Sequence, residues 1–288
     1  MNKKYIKSLL YPIALVFSLI IAGCADELFD ESNGQQGKDR IELSGDIDQL
    51  PITRVNDNGF CDGDYMGVYI VDYKGGTPGT LQVRGNRSDN VRYTFDEAKY
   101  KWVSAYDVYW KDKHTHIDVY GYYPFASPES IDDYQFEVQR DQNRPAENGS
   151  LCGYEASDFL WGRLTDIAPT SNTIRLLLKH IMSNASVTLV EGEGFAEGEW
   201  ASTEKSVLTA NVARKASINL SDGTVKVAGE VEQTATIPSH TGDEWRTIVV
   251  PQTVSAGTKL FSLTIGGLPY KFTTSENLTY MAGKMMKL

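Results

Sequence analysis

Beyond its first 25 residues the sequence has no apolar run of 20 residues, which excludes a bundle of membrane-crossing helices. It also lacks an excess of base. The 28 Lys plus Arg face 38 Asp plus Glu, and a net charge of −10 argues against nucleic acid, whose phosphates need a basic face. Three cysteines are too few for a disulfide scaffold, and 288 residues can bury a core without one. Four histidines leave few metal ligands, and no GxSxG elbow, phosphate-binding glycine loop, HExxH or dinucleotide fingerprint occurs. Helical periodicity is weak past residue 25. Aromatics, in contrast, are plentiful, with 16 Tyr, 10 Phe and 5 Trp.

The N-terminus reads as an address. Lys3, Lys4 and Lys7 precede an apolar run from Leu9 to Ile21, interrupted by Pro12 and Ser18, and Ala22-Gly23-Cys24 follows. The run is too short for an ordinary transmembrane helix and carries signal-peptide flanks. Small residues before a cysteine resemble a bacterial lipobox, in which Cys24 is acylated (palmitate among the chains) and becomes the first mature residue. Acyl chains contribute about 0.8 kcal/mol per buried CH₂, so several of them anchor a protein stably in the outer membrane. The alternative is an ordinary cleaved signal. Removing residues 1–23 leaves 25 basic against 38 acidic residues, a net charge of −13. The acidic start from Asp26 to Glu31 resembles a surface-export tag or, equally, a solvated linker. Residues 32–40 read as a flexible tether. With Cys24 lipidated, Cys61 and Cys152 remain, enough for one disulfide or two separate buried thiols.

The body alternates in period two between turn signals, the pattern of half-buried strands. Strands are expected at 41–47, 66–73, 90–95, 117–123, 134–138, 173–178, 185–190, 216–220, 224–227, 245–250, 260–265 and 270–273. Lys74-Gly75-Gly76, Ser221-Asp222-Gly223 and Gly266-Gly267 mark turns. Many short strands with such punctuation predict an all-β, sandwich architecture. The Gly- and Glu-rich stretch 191–199 divides it into an N-terminal domain over 55–195 and a C-terminal domain over 196–288, or else forms an acidic loop within one domain.

Candidate chemistry is sparse. His114 and His116 place two imidazoles together and need a third ligand to hold zinc or copper; Lys111, Asp112 and Lys113 beside them favour an exposed hairpin tip. His180 follows an apolar run and reads as a core or edge histidine, and His240 lies in a loop. Trp102, Tyr106, Tyr109, Trp110, Tyr120, Tyr122, Tyr123 and Phe125 concentrate aromatics within 24 residues. Alternating large rings in a sandwich pack the core; exposed, Trp102, Trp110 or Tyr123 would stack on sugars and make a glycan-binding surface lipoprotein.

Several segments share one resemblance: Ile52-Thr53-Arg54; Gly63-Asp64 with Met66-Gly67-Val68-Tyr69; Tyr109-Trp110-Lys111, then Val119 to Phe125; Ser157 to Gly162; Lys179 to Ser183; Ile248 to Gln252; and Ala282-Gly283-Lys284. In this order they resemble the fimbrillin (Mfa-like) family, lipoprotein pilin precursors of Bacteroidales-type bacteria. The resemblance implies two tandem transthyretin-like β-sandwiches, no catalysis and no cofactor. It implies a surface pilus subunit or adhesin that meets other subunits by donor-strand exchange and meets a host or bacterial receptor or glycan. A trypsin-like protease would cut between Arg54 and Val55, releasing a strand that carries Ile41, Leu43 and Ile47. Family members usually continue past Ala-Gly-Lys through a further strand and tail. Here Leu288 follows shortly, so either the last strand is short or the C-terminal donor segment is absent.

Overall fold

The computed structural model describes residues 39–48, 59–147, 150–231 and 236–288. Nearly everything regular in it is strand, as the periodicity predicts. The N-terminal half contributes β1 (Leu43–Ile47), β2 (Tyr65–Asp72), β3 (Ser88–Asp96), β4 (Lys101–Ser104), β5 (Ile117–Tyr123), β6 (Tyr134–Glu137), β7 (Leu160–Ile167), β8 (Ile174–His180) and β9 (Ser183–Thr188). The C-terminal half contributes β10 (Lys205–Thr209), β11 (Lys215–Ile218), β12 (Val225–Val227), β13 (Ser239–Thr241), β14 (Glu244–Val249) and β15 (Gln252–Val254). β16 (Lys259–Ile265), β17 (Leu268–Thr273), β18 (Leu278–Tyr280) and β19 (Met285–Lys287) complete it.

The largest sheet has seven strands in the order β1-β8-β7-β5-β2-β3-β4. Its two edges meet, because the Trp102 indole N–H on β4 donates to the Gly45 carbonyl on β1 at 3.0 Å. Inside this rolled sheet lies a core that includes Leu43, Met66, Val68, Ile70, Trp102, Val119, Tyr123 and Leu176. A period-two strand sends neighbouring side chains to opposite faces. On β2, Met66, Val68 and Ile70 enter this core while Tyr69 and Val71 enter another.

That second core exists because a small sheet, β12-β11-β6, packs near the outer face of the first. Every residue of β5 is buried as a result. Tyr122 and Phe159 stack at its centre, with ring centroids 5.7 Å apart and planes 6° from parallel, and Tyr134 and Phe136 pack against Phe159. Polar groups on these faces are paired. Asp118, wholly buried, accepts from Arg163, from the Tyr120 hydroxyl and from the backbone N–H of Asp166. His180 sits buried with Nδ1 2.8 Å from Asp158, the core histidine its apolar surroundings predict.

The C-terminal third core, around Trp245, Leu260, Phe261 and Tyr280, lies among β13-β14-β9-β19, β10-β16-β17 and β15-β18. Strands from both sides of residue 195 share sheets: β6 pairs with β11, and β9 pairs with β14. The Gln142 side chain joins in like a strand residue, accepting from the Ile248 N–H and donating to its carbonyl. The turn signals form as expected. Ser221-Asp222-Gly223 links β11 to β12, and Gly266-Gly267, both at positive φ, links β16 to β17. β19 is short and runs parallel to β9.

Phe159→Ala should cost about 3–5 kcal/mol, the range for deleting a buried ring in a core that cannot close over the hole. Urea unfolding followed by tryptophan fluorescence measures it, and a loss below 1 kcal/mol would show that the outer-face core is not continuous.

Candidate functional site

The first described segment, residues 39–48, is held from both sides. Its start pairs with the stretch before the exposed 111–116 turn: Ile41 N–H donates to the Val108 carbonyl at 2.8 Å, and Trp110 N–H donates to the Asp39 carbonyl at 3.0 Å. Its remainder, β1, runs parallel to β8 with Leu43 opposite Ile174, Gly45 opposite Leu176 and Ile47 opposite Leu178. The Ile174 N–H donates to the Glu42 carbonyl, and the Asp48 N–H donates to the Leu178 carbonyl. β1 therefore fills a slot between β8 and the β4 edge.

Alternation decides what enters the slot. Ile41 and Leu43 are 3% and 5% exposed and belong to the inner core, and Ile47 packs against it half-buried. Gly45 is the inward residue between them. A Cβ there would lie 2.8 Å from Trp102 Nε1, closer than real Cβ atoms come, and a tight 3.2 Å from Met66 Sδ. The indole occupies the room that a side chain at 45 would need. Outward residues form ion pairs instead: Arg40 with Glu42 at 2.7 Å and Asp107 at 2.9 Å, and Asp46 with Arg175 at 2.6 Å. These are exposed, so they orient the strand more than they stabilise it. Beneath them, burial pushes the Tyr93 phenol well above its ordinary pKa, so that hydroxyl stays neutral.

Of the residues singled out from sequence, Ile41, Leu43 and Ile47 come together here. Cys24, Arg54 and Val55 lie outside the described residues. Cys61 is exposed and Cys152 half-buried, on loops that border one cleft lined by Asp64, Tyr123, Leu151 and Glu155. Burial raises the Asp64 carboxyl, against the opposing pull of the Cys61 N–H and the Tyr123 hydroxyl that donate to it. His114 and His116 lie in an exposed turn organised by Asp112, and His116 Nδ1 meets Asp166 at 2.7 Å. Trp102, Trp110 and Tyr123 are 6%, 2% and 0% exposed, so none offers a face to a sugar. The glycan-stacking expectation is corrected on that ground: the rings face a covered sheet interior. Sequence reasoning missed the roles of Trp102, Val108 and Arg175 in seating the strand. Trp102 stood in the aromatic run, but nothing local points it at Gly45.

A family model described as fimbrillin-like matches residues 53–288. Among solved structures, the chain is similar to a proposed cell-adhesion protein from Bacteroides uniformis ATCC 8492, with 16% identity and a TM-score of 0.61, covering 89% of this chain and 94% of that one. A proposed cell-adhesion protein from Bacteroides ovatus ATCC 8483 gives 13% identity and a TM-score of 0.63, over 88% and 92% of the two chains. A fimbrial protein from the same Bacteroides ovatus strain gives 20% identity and a TM-score of 0.51, over 87% of this chain and 48% of that one. At these identities the structures establish the fold. No curated protein sequence matches the chain.

Gly45→Val should loosen β1, with the overpacking penalty of about 1–3 kcal/mol falling on this strand. Hydrogen exchange is expected to speed up at the Ile174 and Asp48 amides and to stay unchanged in β14 and β16. Unaltered protection at Ile174 would show that the indole yields without unseating the strand.

Proposed function

The chain belongs to the fimbrillin-like family, and from that premise we propose that it is a surface-exposed fimbrial subunit or adhesin assembled by strand exchange. Family membership points to a structural role at the cell surface rather than to catalysis. The precursor travels as an outer-membrane lipoprotein anchored through Cys24. Cleavage between Arg54 and Val55 then releases residues 24–54, β1 among them. Another fimbrillin subunit supplies the replacement strand, and a surface receptor is the partner of the finished fibre.

One observation carries this reading: β1 is an edge strand whose inward side chains complete a core built by the rest of the sheet. Without it, the inner faces of β8 and β4 meet solvent, and the backbone groups of Val108, Trp110, Ile174 and Leu178 lose their partners. An open edge beside an apolar slot is a template for β-augmentation. Each aliphatic side chain that fully refills the slot contributes about 1.5–3 kcal/mol, and each recovered hydrogen bond about 1 kcal/mol. Ordering the incoming strand offsets part of that gain.

Arg54→Ala should leave a lipidated precursor that still carries residues 24–54 and does not enter fibres. Mass spectrometry of the surface-exposed protein checks it. A wild-type N-terminus at Val55, with the variant retaining Cys24, is the expected result; normal assembly of the variant would remove Arg54 from the mechanism.

A further inference from the structure

The inward positions of β1 face near-equivalent positions on β8. Leu43 lies opposite Ile174, Gly45 opposite Leu176 and Ile47 opposite Leu178, and all three β8 side chains are buried aliphatics of the inner core. A slip of two residues keeps the same face of a strand inward. Aliphatic packing along β8 therefore does not by itself fix where a strand stops. The opposite wall of the slot is not uniform, because one position there carries the Trp102 indole.

Gly45 is not demanded by its own backbone, since it is not among the glycines at positive φ. The indole demands it. Trp102 Nε1 donates to the Gly45 carbonyl at 3.0 Å, and the same nitrogen would lie 2.8 Å from a Cβ at that residue. Bond and exclusion come from one atom, so an indole that moved aside to admit a side chain would lose its acceptor. A buried N–H left without an acceptor is costly. The ring is also clamped. Phe60 meets it edge-on with centroids 4.8 Å apart, Phe95 packs at 5.3 Å, and Trp102 is buried.

We propose that Trp102 is the specificity-determining residue of the slot: it admits an extended segment only in the register that sets a glycine opposite Leu176. This rests on the reading above, that processing opens the slot to another strand, and it names which strands are accepted. An acceptable segment has inward aliphatics two residues before and two residues after one glycine, as β1 has Leu43 and Ile47 around Gly45. A run of alternating aliphatics without that glycine is refused, because every inward register sets a β-carbon against the indole. A segment with the glycine enters in one register only. A slip of two brings an aliphatic beneath the indole, and a slip of one turns the aliphatics outward. The slot thus discriminates by a clash built against wrong partners and wrong registers, not by an added attraction.

The test uses the full chain cut between residues 54 and 55 and a fluorescent synthetic peptide of residues 39–48, which competes for the slot. Against this peptide, its Gly45→Ala version should bind about tenfold more weakly or worse, from overpacking at the indole. The loss cannot come from chain freedom, because alanine restricts the unbound peptide and would favour binding. A Ser44→Ala version, changed on the outward side, should bind within about twofold of the original. Trp102→Phe in the chain, which shortens the ring, should shrink the Gly45→Ala penalty to about twofold, the coupling expected of two groups in contact. A second readout needs no variant of the chain: exchange of the Trp102 indole N–H should be slow with the original peptide and fast with the Gly45→Ala peptide. Equal binding of these two peptides, or a penalty that Trp102→Phe leaves whole, would overturn the role of Trp102 while strand exchange stands. A cut chain that takes up neither peptide would remove both.

Discussion

The rolled sheet depends on closure between its two edges, and that closure runs through one side chain. Trp102 reaches from β4 across the core mouth, donates its indole N–H to the Gly45 carbonyl, and lies where a residue-45 side chain would be. The contact is possible only because β1 has no Cβ at that position. It joins the last strand of the sheet order to the first, so β1 closes the inner core.

The outer face of that sheet is secured differently. β5 is buried on both sides because β6 and β11, drawn from distant parts of the chain, bring a second layer over it. Asp118, Gln142 and the Nδ1 of His180 have hydrogen-bond partners in the interior. Burying such groups without partners would be costly, and the Gln142–Ile248 pair also ties the two halves together. This stitching lies on the face of the sheet opposite the core that β1 completes.

Much of the fold was legible from local pattern. The run Ile117–Tyr123 matches β5, and Ser221-Asp222-Gly223 and Gly266-Gly267 sit at their hairpins. The strands that escaped are β4, β7, β10, β13, β15, β18 and β19, and the first two show why. Lys101-Trp102-Val103-Ser104 is too short to display a period, and Leu160–Ile167 alternates only over part of its length. Of the site, Ile41, Leu43 and Ile47 were legible as inward residues because alternation alone selects them. Trp102 was visible as one of many aromatics, and its burial followed from the expectation of core packing. Its partner was not visible, because the two residues are 57 positions apart.

The sequence by itself determined the all-β class, the placement of most strands and turns, and the resemblance that the family match later established. The first two are local: a period of two and a glycine able to take positive φ. Only the tertiary structure decided that β1 lies parallel to β8, that β2 and β5 are buried on both faces, and that Gly45 is the one inward residue a tryptophan covers. Those outcomes follow from which distant surfaces meet. Neither side of such a contact carries a mark of the other.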